Sequence, residues 1–152
     1  MHAASFLFRG TGLRLEAIEI DEDGSRLLAT ARRVRAPCPS CGRGSRRVHS
    51  RYARTLADVA WGATSVVCRL AVRRFRCGRI SCKQRVFCER LGPFAVAHAR
   101  RTERLRALLR EVGFALGGRP GQRLLPALRA TASRTTLLRL VRAAGGAERR
   151  HR

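Results

Sequence analysis

"TSVVCRLAVRRFRCGRISC", residues 64–82, changes character halfway along. In its first half Val66, Cys68, Leu70 and Val72 recur at every second position, the period at which side chains share one face of a β-strand. Its second half carries Cys77-x4-Cys82 among arginines. A strand running into a cysteine loop calls for a second loop, and "PCPSCG" (37–42) supplies Cys38-x2-Cys41, thirty-five residues before Cys77. A tetrahedral zinc ion takes four thiolates at ~2.3 Å, and two short loops projected from one sheet can present them. Gly42 and Gly78, which follow the second and third cysteines, suit the tight turns of such knuckles. The four predicted ligands are therefore Cys38, Cys41, Cys77 and Cys82, and the predicted cofactor is structural zinc.

Other readings of these thiols are weaker. Thioredoxin-like use of "CPSC" needs a βαβ unit, and none is visible. Catalytic zinc needs an open coordination position and a carboxylate base, whereas Asp58 and Glu89 are the only acids between residues 37 and 92. Asp58 is expected to pair with an arginine. Cys68 reads as a core thiol and Cys88 as core filler, while His49 reads as a packed or phosphate-facing histidine, since four thiols already complete the site. A cytosolic setting, free of any secretory leader or ~20-residue apolar span, favours metal binding over disulfides.

The charge points to the partner. The 152 residues carry 33 basic and 10 acidic groups, a net +23. By segment the basic and acidic counts are six and five over 1–36, thirteen and two over 37–92, and fourteen and three over 93–152. Such an excess repels itself unless a polyanion is the usual partner, and nucleic acid is the first choice. All but Lys83 of the basic residues are arginine; a GC-rich genome explains part of that bias, but fork-like contacts to phosphate and guanine explain it equally.

The fold class expected is α+β, in four segments. Residues 1–36 form an N-terminal β-hairpin, with "LRLEAIEI" (13–20), the turn "DEDG" (21–24) and a return through "SRLLATARRV". Residues 37–92 form a small zinc-stapled β domain of short strands, with a turn at "WG" (61–62). Residues 93–145 form three helices. The first carries Leu105, Leu108, Leu109 and Val112 at helical spacing. "GGRPG" (117–121) is read as a break, and "QRLLPALRA" as a short helix despite Pro126. The last helix starts at a Ser133 N-cap and stops at the glycine pair 145–146. The tight turn before it suggests a helix-turn-helix. Residues 146–152 are read as a disordered basic tail.

In this arrangement Arg134, Thr135, Arg139 and Arg142 lie on the exposed side of the last helix, where they could read a major groove, with Leu137, Leu140 and Val141 inward. Arg73, Arg74, Arg76, Arg79, Lys83 and Arg85 are expected to form a phosphate-binding ridge around the second knuckle.

"CPSCG", "VHSRYARTLADVAWG", "RRFRCGRISCKQRVFCERLG", "ARRTERL" and "SRTTLLRLVR" together resemble, in order and spacing, the N-terminal part of ISL-three family bacterial transposases. The resemblance spans about residues 14–143 and departs from the family pattern at Ala60, Pro126, Arg129 and Thr131. It implies zinc on the same four cysteines, and a zinc-finger and helix-turn-helix region that recognises terminal inverted repeats of double-stranded DNA. In the family an RNase H-like domain with a DDE triad follows; here five of the ten acids cluster in the hairpin and five are scattered, so a truncated, non-catalytic module is expected. A full-length transposase or a second copy is the further expected partner, no membrane is involved, and the expected location is the cytoplasm, on the nucleoid. The alternative is an RNA-binding or ribosome-associated zinc ribbon, against which stands an aromatic content of 5%, low for a reader of single strands.

Overall fold

In the computed structural model, residues 7–148 are described here. The chain first runs out and back as β1 (Leu13–Asp21) and β2 (Gly24–Ala31), paired antiparallel with a bulge between Leu15 and Ala17. The Asp21 carboxylate closes the turn by accepting the N–H groups of Asp23 and Gly24 at 3.0 and 3.1 Å. Gly24 (φ 146°) lies so close to Ser65 that an added Cβ would meet the Ser65 carbonyl oxygen at 2.6 Å.

Two short strands, β3 (Ala36–Pro37) and β4 (Gly44–Ser45), pair with each other and carry the first cysteine loop between them. The long strands β5 (Val48–Trp61) and β6 (Thr64–Arg76) then form an antiparallel ribbon, turning at Gly62 (φ 56°). The turn at Trp61–Gly62 is where the sequence puts it, but these strands of 14 and 13 residues are far from the short ones expected. β7 (Val86–Cys88) pairs with β6 beyond the end of β2.

β2 pairs with β6 in parallel, from Ser25↔Val66 to Thr30↔Ala71, giving the sheet order β1-β2-β6-β5. The sheet therefore runs across position 36/37, joining the hairpin to the cysteine-bearing segment. One of its faces is buried. Val66, Cys68, Leu70 and Val72 of β6, each at most 2% exposed, join Leu27, Ala29 and Leu56 there. Leu91, Phe94 and Ala95 cover them, and Phe94 stacks on Phe8 with ring centroids 5.3 Å apart.

A helical unit docks on the β5 edge. Ala57 donates to the Arg100 carbonyl and accepts from the Thr102 N–H, each at 3.0 Å, so residues 100–102 extend the sheet before α1 (Glu103–Leu116) begins. Thr102 caps α1 by accepting the Leu105 N–H, and its hydroxyl donates to Asp58 at 2.6 Å. α2 (Gly118–Leu124) follows at once, then a 3-10 turn (Leu125–Leu128) and α3 (Arg134–Glu148). Leu105, Leu109, Val112, Leu125, Ala130 and Leu137 form its core, with Val59 of β5 packed against them.

Three details of this unit differ from expectation. Only Gly117 (φ 71°) breaks the chain in "GGRPG", because Pro120 falls in the first turn of α2, where its missing N–H has no helical acceptor to lose. Pro126 sits at the start of the 3-10 turn, where it ends α2 without distortion. α3 does not stop at the glycine pair but continues to Glu148, so part of the expected tail is helical, and residues 149–152 lie outside the described residues. Ser133 is its N-cap as expected, accepting the Thr136 N–H at 3.2 Å.

Candidate metal centre and basic surface

The four predicted thiols converge. The Sγ atoms of Cys38, Cys41, Cys77 and Cys82 all lie within 4.8 Å of one another. The sulfurs of Cys38 and Cys82 are 3.9 Å apart, and those of Cys41 and Cys77 are 3.6 Å apart. A tetrahedron with ~2.3 Å zinc–sulfur bonds has edges of ~3.8 Å, so the spacing suits one metal ion held by both loops. An all-thiolate, closed set of this kind is a structural zinc site, with no position left for substrate.

Local backbone makes each loop. Gly42, with φ 71°, lets its N–H turn back to the Cys38 carbonyl at 2.8 Å, while the Cys38 N–H bonds the Arg43 carbonyl at 2.9 Å. In the second loop Cys77 donates to Arg85 at 2.8 Å and Cys82 to Arg79 at 3.1 Å. Gly78 is not left-handed, so only one of the two expected glycine turns uses that freedom. The loops rest on a small core of Ala36, Phe75 and Phe87, whose two rings stack with centroids 5.9 Å apart.

Backbone N–H groups also tune the sulfurs. The Gln84 N–H, with the neighbouring thiols, draws the Cys82 pKa down to about 7 against the effect of burial. The Arg43 N–H pulls Cys41 the same way, but burial and the three other thiols outweigh it and raise that pKa to about 11. In each loop the donor is two residues beyond the second cysteine. That repeat was present in the sequence, though nothing in the residue types of Arg43 and Gln84 marks it.

The remaining sulfurs and His49 stand apart from the centre. Cys68 is fully buried and its thiol points to Asp58 at 3.4 Å; burial, then the Asp58 charge, pushes its pKa far up. Cys88 is exposed, not core filler, because Phe87 is the inward residue of β7 and alternation turns Cys88 out, where it accepts from the Tyr52 hydroxyl at 3.6 Å. His49 is exposed, with Nδ1 3.2 Å from the Ser50 hydroxyl. Asp58 is the arginine partner expected of it, bound by Arg104.

Of the six residues expected to form a basic ridge, five are exposed and Arg73 is half-buried. Arg74, Arg76, Arg79, Lys83 and Arg85 are exposed around the second loop. Arg73 is withdrawn: its guanidinium holds the buried Glu89 carboxylate at 2.7 Å, bonds the Arg33 carbonyl and lies over Phe75. On α3, Arg134, Thr135, Arg139 and Arg142 are exposed, with Leu137 fully buried and Leu140 packed against the helical core.

Among the described residues no helix is long and apolar enough to cross a membrane. Residues 34–82 match the family model for the zinc-finger of transposase IS204/IS1001/IS1096/IS1165, a span that contains all four thiols. No curated protein and no solved structure matches the chain. Residues 34–82 are thus similar, in sequence and in the four metal-binding cysteines they carry, to the zinc ribbon of these transposases.

Proposed function

We propose that this protein is the DNA-binding N-terminal module of a transposase, recognising terminal inverted repeats and lacking strand-transfer activity of its own. The observation that carries the reading is the match of residues 34–82 to a transposase zinc-finger in a chain of net charge +23. Zinc holds the two loops together, which fixes Arg79, Lys83 and Arg85 beside Arg74 and Arg76 of β6 on one rigid rim, where they meet phosphates. The three helices act as a helix-turn-helix in this reading. Thr135, Arg139 and Arg142 follow one another at helical spacings of four and three, so they share a face of α3 that can enter a major groove beside Arg134. Arginine bidentate to guanine contributes ~1–3 kcal/mol of discrimination per base pair.

Asp58 and Glu89, the two buried carboxylates among the described residues, are each bound to an arginine. A full-length transposase sharing the same DNA ends, or a second copy of this chain, is the protein partner that the reading implies. The test is competition by fluorescence anisotropy between a duplex from an insertion-sequence end and a scrambled duplex of equal length. A preference of roughly ten-fold or more, about 1.4 kcal/mol, lost in Arg139→Ala, is expected. Equal affinity for both duplexes refutes repeat recognition.

A further inference from the structure

A cleft of about 680 Å³ opens beside the second knuckle, between β7 and the segment that follows it. It is lined by apolar Val86, Leu91 and Ala95, by the cations Arg74 and Arg90, and by His98. Glu89 also lines it, but that carboxylate is already bound by Arg73 at 2.7 Å. Among the described residues no ion pair claims Arg74 or Arg90. The Arg54 guanidinium donates to the Ala99 carbonyl and so pins the segment that forms one wall.

Two features point to a ligand that is both flat and anionic. The Arg74 guanidinium lies over the Tyr52 ring, 4.7 Å from its centroid, and both side chains line the cleft. Guanidinium and tyrosine planes are the surfaces on which unpaired bases stack. His98 holds φ 59°, a left-handed conformation uncommon outside glycine. That backbone belongs to a residue that lines the cleft.

We propose that the cleft takes one unpaired nucleotide of a DNA strand, with its base against the apolar lining residues beside Tyr52 and Arg74 and its phosphate between Arg90 and His98. Small-ligand sites usually enclose ~300–1,000 Å³, a size that suits a single nucleotide and excludes a duplex. A strand is favoured over a free nucleotide because cleft and ridge are continuous. Arg74 belongs to both, and Gln84, another lining residue, lies between ridge residues Lys83 and Arg85. The inference rests on the DNA-binding reading and adds a second contact to the same partner.

The experiment uses the zinc-loaded full chain and three probes: a blunt duplex, the same duplex with an unpaired overhang, and free deoxyadenosine monophosphate. Stacking of one base predicts that the overhang duplex binds roughly five-fold tighter than the blunt one, or more. Arg90→Ala and His98→Gly, both at exposed positions, are expected to bring that ratio close to one; glycine also keeps the backbone conformation of residue 98. Equal binding of blunt and overhang duplexes by the wild type overturns the inference while leaving DNA binding intact. A ratio that survives both substitutions overturns it as well. Tighter binding of the free nucleotide than of the overhang assigns the cleft to a mononucleotide and overturns the strand assignment. Failure to bind either duplex sinks the DNA-binding reading and this inference together.

Discussion

Asp58→Ala is expected to loosen the joint between sheet and helices. The Asp58 side chain is 0% exposed, and its carboxylate receives the Thr102 hydroxyl at 2.6 Å, the Val59 N–H at 2.8 Å, the Cys68 thiol at 3.4 Å and the Arg104 guanidinium. Removing one partner of a fully buried ion pair costs ~3–5 kcal/mol. The Arg104 side chain is 35% exposed, so water re-solvates part of the stranded charge and the cost falls to about 2–3 kcal/mol. The Thr102 hydroxyl, 0% exposed, loses its acceptor for about 1 kcal/mol more. The sum is about 3–4 kcal/mol, or a melting temperature lower by about 6–16 °C for a chain of this size. Zinc content is expected to hold, because the thiols sit at the far end of β5, ~30 Å along the strand at 3.3 Å per residue. Circular-dichroism melting with metal analysis reads both. A drop under about 2 °C, or zinc loss comparable to that of a ligand variant, refutes the reasoning.

Other substitutions test the remaining parts. Cys77→Ser is expected to abolish stoichiometric zinc, measured by metal analysis after gel filtration, whereas His49→Ala leaves it at one per chain. Gly113→Ala places a Cβ 2.9 Å from Val141 Cγ2 and 3.3 Å from the Leu137 carbonyl oxygen; valine is stiff, so the clash outweighs the ~1 kcal/mol gain in helix propensity and stability falls. Gly145→Ala, at a helical position with nothing within 4 Å, has the opposite sign and raises stability by up to ~1 kcal/mol; denaturant midpoints check both. Burial raises the folded-state pKa of Cys68 above the ordinary 9.0, so its contribution is present below the unfolded value and is lost as pH rises towards the folded one. Wild type should therefore lose more stability than Cys68→Ala between about pH 8 and 10, by urea denaturation; parallel losses contradict this.

The parts of the structure that sequence showed are those written in local pattern. The alternation of Val66, Cys68, Leu70 and Val72 marked the buried face of β6, the "DEDG" turn marked the hairpin, and two cysteine loops marked the metal centre. Long-range pairing left no such trace. Nothing local says that β2 lies parallel to β6, because that ladder joins residues about forty positions apart. β5 was hidden for another reason: its inward positions include Tyr52, Arg54 and Asp58, so polar side chains with specific partners occupy places where an apolar period is expected. Arg73 looked like its neighbours in "RRFR", and only the return of Glu89 beside β6 separates it from the surface arginines. The turn before α3 is made by Arg129 at φ 50°, a left-handed conformation that glycine adopts most readily.

The most direct test of the central claim is duplex binding across a salt series, with the zinc-loaded protein and with the chelated one. If Arg74, Arg76, Arg79, Lys83, Arg85, Arg134, Arg139 and Arg142 each neutralise a phosphate, the plot of log affinity against log salt has a slope of about −7, and affinity falls ~10⁴-fold between 50 and 200 mM salt. Chelation, which frees the loop between β6 and β7 that carries Arg79, Lys83 and Arg85, is expected to make the slope about a third shallower. A nearly flat salt dependence, or the same slope with and without zinc, contradicts a zinc-stapled DNA-binding surface.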